Sequence, residues 1–450
     1  MVKEWNRSFV PVSSVEPAGF LLSGYTNAAS DWMLKRNYFL QGSLKLRPVE
    51  CARKKGGDLP MKRVYRFVLS AIMAILMITL SVSVGSAESA TPIYAADEQF
   101  TDRDLEQTAD LSEAVYYSVS TGQDIPITSA GVYVLSGEAS NVTVYVEAEK
   151  DDKVQLVLDG VSVTNESFPV IYVKSADKVF ITTSADSTLS VTGTFVSDGN
   201  TNTDGVIFSK SDLTLNGTAT LTVSSTDNGI VGKDDLKITG GTYVINVASK
   251  AIEANDSIRI ADGVLYLTAG TDGLHAENNE DASKGYIYIG GGSLTITAGD
   301  DAIHATTVVQ TDGGSIAITA AEGIEATYIQ FNAGTISIQA SDDGVNAAYK
   351  SSAYTPTVEI NGGEITVSMG SGDTDGIDSN GNIIVNGGTV SVTGNSIFDY
   401  DGTAQYNGGT ILVNGQQVSS IPNQMMGGRG GFGGGNGGFG GGGRGGRGGW

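Results

Sequence analysis

Cysteine is almost missing from this chain: Cys51 is the single one in 450 residues. A disulfide scaffold and any thiolate metal or redox centre are therefore excluded. Proline occurs nine times and histidine twice, and basic residues are scarce, with 27 Lys and Arg against 50 Asp and Glu. Residues 88–450, argued below to be the mature part, hold 15 basic and 45 acidic residues, a net charge of −30. Such a surface repels phosphate backbones, which excludes nucleic acid as a partner of the folded body. In abundance are 61 glycines, with Thr, Ser, Val and Ile filling much of the rest. That composition favours strands and turns over helices.

Residues 61–87 read as an export signal. Lys62, Arg63 and Arg66 precede an apolar run from Phe67 to Val84, and Gly85-Ser86-Ala87 supplies small residues for cleavage. We expect cleavage, an extracellular or cell-surface location, and no membrane span in the mature chain. Residues 1–60 show no periodicity, and Lys55-Gly56-Gly57 can encode a ribosome-binding site just ahead of Met61. Met61 is therefore the expected initiator and residues 1–60 an expected mis-annotated extension. At the other end, Gly427 to Trp450 has 17 glycines in 24 residues with Arg429, Arg444 and Arg447. Residues 421–450 are read as a flexible Gly/Arg-rich tail suited to tethering or cell-wall contact.

From about residue 200 a short motif recurs: an acidic or small residue, Gly or Ala, an aliphatic, a polar residue, and Ala. The aliphatic anchors are Val206, Ile230, Ile252, Leu274, Ile303, Ile324, Val345, Ile377 and Ile397. Their spacing is near 21 residues, with two longer intervals. Between them the apolar residues alternate, as in Ile287-Tyr288-Ile289 and Leu294-Thr295-Ile296, and Gly-Gly pairs mark bends. Period two within strands and period about 21 between them is the pattern of a β-solenoid. The expected fold is all-β: a right-handed single-stranded parallel β-helix with three short strands per rung. Residues 88–130 are expected to form an acidic linker and N-terminal cap, 131–205 irregular first rungs, and 206–420 regular rungs. The two long intervals place insertions at Glu277–Lys284 and about Tyr349–Pro356, on one face of the coil, where binding surfaces of repeat proteins often lie.

Stacking one rung on the next aligns the acidic positions at about 4.8 Å. Two such carboxylates repel by about 0.9 kcal/mol in water and more where solvent is displaced. Either they are solvated turn residues, or hard cations neutralise them. Ca²⁺ takes six to eight oxygen ligands and suits clustered Asp, Asn and carbonyls. The candidate ligands are Asp272, Asp300, Asp301, Asp342, Asp343, Asp373, Asp375 and Asp378. One position after the anchor lie His275, His304, Glu325 and Asn346, candidate ligand contacts. The histidines occupy equivalent places in consecutive rungs and are otherwise exposed turn residues.

The segments Asp234–Gly241, Asp272–Asn278, Asp300–Ala305, Glu322–Ala326, Asp342–Ala347 and Asp373–Asp378 together make the chain resemble a family of secreted bacterial carbohydrate-binding proteins. Those proteins have a pectate-lyase-like parallel β-helix, bind calcium, and attach to polygalacturonate and cellulose. The resemblance covers roughly residues 97–425 and implies calcium-binding roles for the motif aspartates. Ala302 and Lys250 depart from the motif and put their rungs in doubt as metal sites.

For a polyanionic ligand, a chain at −30 needs divalent cations as bridges. For neutral sugars the usual platform is an exposed aromatic ring. Trp450 is the single tryptophan after residue 87, so Tyr286, Tyr288, Tyr328 and Tyr349 are the candidate substitutes. A lyase on the same scaffold needs an Arg or Lys base, and before the tail the mature arginines are Arg103 and Arg259. Gly-His-Gly and Arg-x-Lys motifs of a polygalacturonase are missing. The expectation is a non-catalytic binding protein, with a Ca²⁺-dependent lyase and a surface adhesin as alternatives.

Overall fold

The computed structural model describes residues 91–370 and 374–423. The initiator, the export signal, Asp373 and residues 424–450 of the Gly/Arg tail lie outside the described residues, whereas Ile421, read as the start of that tail, is buried against the core. Within them the chain is a parallel β-helix. Its three faces are a motif face of twelve strands, from Ile125–Ile127 to Ser396–Tyr400, and two faces that together count as one 24-stranded sheet. Those two faces merge because the early strands Gly131–Ser140 and Lys153–Asn165 run across a corner without breaking; Lys153–Asn165 pairs with both Lys178–Ala185 and Ser187–Val191.

Alternation in the sequence becomes alternation in burial. In Ser293–Ala298, Ser315–Ala320 and Thr335–Ala340 every second residue is buried and the others face water, so Thr295, Thr297, Ala317, Thr319, Ser337 and Gln339 lie outside as expected. Leu274, Ile303, Ile324, Val345 and Ile377 stack in register, each 0% exposed. Burying each such side chain stabilises by about 1.5–3 kcal/mol, and no rung could do so without its neighbours.

At the two ends the register differs by one residue from the expected anchors: Ile207, not Val206, pairs with Ile230, and Phe398, not Ile397, pairs with Ile377. In each place two apolar neighbours are both fully buried, so alternation could not choose between them.

Two kinds of glycine build the corners. The second residue of the Gly-Gly bends has positive φ, 88° at Gly241, 87° at Gly314 and 84° at Gly363, a region costly for other residues. The motif glycine is required by packing instead. A Cβ on Gly344 would lie 2.5 Å from the Gly376 carbonyl of the next rung and 2.4 Å from Val367.

Residues 91–107, expected within an N-terminal cap, run along the outside of the face formed by strands such as Tyr286–Ile289 and Tyr328–Phe331. The Tyr94 amide and carbonyl bond the Gln310 side chain, and the Ile93 amide bonds Gln330. Further along, Asp104 is wholly buried. It pairs with Lys178 at 2.5 Å and Lys237 at 3.1 Å and accepts a hydrogen bond from Thr214. Burial alone would raise the Asp104 carboxyl, but the two lysines and the Thr101 amide hold it far below the ordinary range. Val115–Ser118 then joins the first rung, parallel to the strand containing Tyr133.

The other end closes differently. Thr410–Val413 turns back through Asn414 and Gly415, both at positive φ, into the antiparallel strand Gln416–Val418. This Asn-Gly hairpin covers the last strand of its face. Among the described residues no helix is long and apolar enough to cross a membrane.

Candidate functional site

One outward-facing row runs the length of the motif face. Its members, each paired in register with the next, are Tyr145, Tyr172, Phe208, Val231, Glu253, His275, His304, Glu325, Asn346, Asp378 and Asp399. The row changes character along the coil, from aromatic through basic to acidic. The repeat itself causes this, because one motif position is filled differently in each rung.

In the middle, charge is balanced locally. Glu253 is held by Lys233 at 2.9 Å and Lys250 at 3.4 Å. The imidazoles of His275 and His304 stack with centroids 4.6 Å apart. Asp272 lies 2.8 Å from His275, and Asp301 lies 2.7 Å from His304, whose same nitrogen is 3.0 Å from Glu325. Burial works against the charged form of His304, but Asp301 and Glu325 outweigh it and raise its pKa to about 9. Asp301, His304 and Glu325 bring ligand atoms within 4.8 Å of one another. At neutral pH a metal would have to displace the proton on Nδ1 to bind there. Lys350, 2.7 Å from Glu325, adds a second cation. Contrary to the expectation of exposed turn residues, both histidines lie on strands and are largely covered, with side chains 9% and 14% exposed, and Asp272 and Asp301 are turned toward them.

From the rung of Glu322 onward the balance fails. Among the described residues no Lys, Arg or His pairs with Glu322, Asp343 or Asp378. Burial, then Asp343, Asp375 and Asp399, raise Asp378 to about 7. Burial, then Glu325 and Asp301, raise Glu322 to about 8, and burial with Asp375 and Asp342 raises Asp343 to about 6. Three side-chain oxygens here, Asn346 Oδ1, Thr374 Oγ1 and Asp399 Oδ1, are buried without a partner. The Asp375 amide donates to Asp343 at 3.0 Å and Ser396 donates to Asp375, which fixes both carboxylates. The donors are all hard oxygens, the set that suits Ca²⁺. Asp300 and Asp342 are exposed beside this row. Asp399, Asn346 as a metal donor and Thr374 were missed by sequence reasoning; the one-residue shift at Phe398 hid Asp399.

The two insertions do meet. A cavity of about 290 Å³ opens between them, lined by Asn278, Asn279, Glu280, Thr306, Lys350 and Ser351 among others. Its lining is almost wholly polar, and it adjoins the Glu325–Lys350 pair. The tyrosines divide. Tyr349 stands 70% exposed on the second insertion. Tyr328 is half-buried and donates to Glu359. Tyr286 and Tyr288 do point out of the coil, but the 91–107 strap covers them, leaving 8% and 2% exposed; Tyr94 stacks on Tyr286 at 4.2 Å. They offer no open platform.

An oxygen-rich row and a polar cleft on a β-helix are features of a ligand-binding solenoid. Residues 121–394, well over half of the chain, match the family model described as carbohydrate-binding domain-containing protein, and the chain belongs to that family. A curated relative of the same description, from Acetivibrio thermocellus, is 34% identical over 128 residues, which is 27% of this chain and 45% of the relative. The chain thus spans less than half of that relative's length. A solved structure, described as the gadolinium derivative of the polysaccharide lyase-like protein from C. thermocellum, is 30% identical. That match covers 50% of this chain and 96% of the other, with a TM-score of 0.45.

Proposed function

We propose that the mature chain is an exported, non-catalytic protein that binds acidic plant polysaccharide of the polygalacturonate type, and also cellulose, with Ca²⁺ as the bridge for the acidic ligand. The observation that carries this is the unbalanced end of the motif row. Asp343, Asp375, Asp378 and Asp399 crowd together, two of them with strongly raised pKa values, beside buried oxygens that lack partners. A divalent cation relieves both conditions at once and leaves coordination positions for uronate oxygens. The polar cleft between the insertions, and the exposed Tyr349 that precedes Lys350 in the chain, then offer contacts to the sugar rings.

The basic groups speak for binding without chemistry. Arg259 is engaged by Asp235 at 2.6 Å and by Ser257. Arg103 bonds Gln155 and lies over Phe180. Neither is on the motif face, and the lysines there are each held by a carboxylate, Lys233 and Lys250 by Glu253 and Lys350 by Glu325. The test is retention of the protein on polygalacturonate, cellulose and other glycans while Ca²⁺ is titrated and then chelated. The expected result is retention on polygalacturonate that chelator abolishes, with no unsaturated product absorbing in the ultraviolet. Chelator-insensitive retention on polygalacturonate, or an unsaturated product, overturns the proposal.

A further inference from the structure

The aromatic end of the same row has an opening of its own. Tyr172 and Phe208 are wholly buried, but Tyr145 and Phe168 are partly open, with rings 6.2 Å apart and tilted by 38°. They line a cavity of about 320 Å³ whose rim carries Asp124, Asn141 and Glu166. By rung spacing it lies about 43 Å from Asp378, nine rungs away. The geometry points to a second, metal-independent binding site here, for a neutral pyranose unit of a polysaccharide. This inference rests on the family's carbohydrate-binding character and not on calcium.

The volume is at the lower end of small-ligand cavities, which take one or two sugar rings. Two aromatic rings set at an angle form a corner against which the apolar C–H face of a pyranose packs. The loop that presents Phe168 is built for rigidity. Asn165 is buried and spends its whole amide on it, donating to the carbonyls of Val142, Phe168 and Pro169 and accepting from the Val142 amide. Thr143 donates to the Pro169 carbonyl as well. A preorganised wall loses little entropy on binding.

The rim selects the sugar. Asn141 sits at φ 54°, and its Oδ1 accepts the Glu166 amide, which turns its side chain into the opening's edge. Asp124 accepts the Thr143 amide at one oxygen. The exposed Asp124 and Glu166 carboxylates accept hydrogen bonds from sugar hydroxyls and repel uronates. The nearest cation, Lys174, is taken up by Asp198 at 3.4 Å and by the faces of Tyr145 and Tyr172. Charge therefore separates the two sites on one flank: neutral sugar here, acidic sugar with cations at the far end.

The test uses the full mature protein and soluble hydroxyethylcellulose in affinity electrophoresis with excess chelator. Tyr145→Ala and Phe168→Ala are expected to weaken binding at least tenfold, and Tyr145→Phe to keep most of it. Polygalacturonate binding in Ca²⁺ should stay within twofold of the parent. Ser167→Trp, which fills the cavity without removing a core contact, is expected to abolish hydroxyethylcellulose binding even if an alanine variant fails to fold. Unchanged binding in Ser167→Trp, or no chelator-resistant binding by the parent, overturns the inference. Neither result bears on the calcium-dependent site, which fails only on its own polygalacturonate arm.

Discussion

If cations neutralise the acidic end of the row, the protein without Ca²⁺ should lose stability as pH rises from 5 to 8. Asp378 is raised in the folded state to about 7, against an ordinary 3.8 in the unfolded chain. The folded protein therefore holds a proton that the unfolded chain has released. This contribution is complete below about pH 4 and is lost as pH passes 7. A difference of that size is worth about 4 kcal/mol, and solvent screening of the half-buried group reduces it to on the order of 2 kcal/mol. Asp343, raised to about 6, and Glu322, to about 8, act in the same direction. His304, raised from 6.5 to about 9, contributes in full only below about pH 6.5 and loses that contribution on the way to 9, so it adds to the fall above pH 6.5, and the Asp378→Asn comparison separates the two. Ca²⁺ at a hundred times its dissociation constant adds about 2.7 kcal/mol. For a body of about 330 residues that is a rise in Tm of about 4 °C. Thermal melts at pH 5, 6.5 and 8, with Ca²⁺ and with chelator, make the measurement. Asp378→Asn should be more stable than the parent at pH 8 in chelator and should respond less to Ca²⁺. A flat profile in chelator, or an undiminished Ca²⁺ response in Asp378→Asn, would refute the reasoning.

Gly344→Ala should destabilise by about 1–3 kcal/mol, because its Cβ meets the Gly376 carbonyl of the next rung and the backbone must shift; denaturant unfolding measures it. Asp104→Ala leaves Lys178 and Lys237 buried side by side without an anion and should cost about 3–5 kcal/mol. Limited proteolysis of that variant should cut within residues 91–107 first, and the freed Tyr288 should become accessible to nitration.

Much of the architecture was legible because stacking imposes the same demand on every rung. The inward aliphatics, the Gly-Gly bends and the meeting of the two insertions all follow from one repeated pattern. The motif position after the anchor also announced the in-register row along the motif face. The strap was not legible, since residues 91–107 have no periodicity and their partners lie far away in sequence, as Asp104 and Lys237 do. A signal for it existed: Tyr286, Tyr288, Gln310 and Gln330 point outward where an open strand would carry Thr or Ser, and such bulky amphipathic groups ask for a cover. The same local view missed an asparagine ladder. Asn332, Asn361, Asn386 and Asn407 link side chain to side chain at 2.7–2.8 Å, ending on Asp312. Its mark in the sequence was the residue just before each bend. The division of labour between His304 and Asp378 could not be foreseen either, because it depends on where Lys350 reaches from the second insertion.

The reversal at Asn414 and Gly415 changes what one end of the coil offers to another copy. A coil whose last rung ended in the parallel direction would be a ready template for the first rung of another copy, and repeated joining would grow fibres. Here the final backbone groups of Ile411 to Val413 are already satisfied by a strand running the wrong way for continuation. That terminal edge is thereby closed to parallel addition, and a chain truncated after Val413 is expected to self-associate more than the parent, as sedimentation would read.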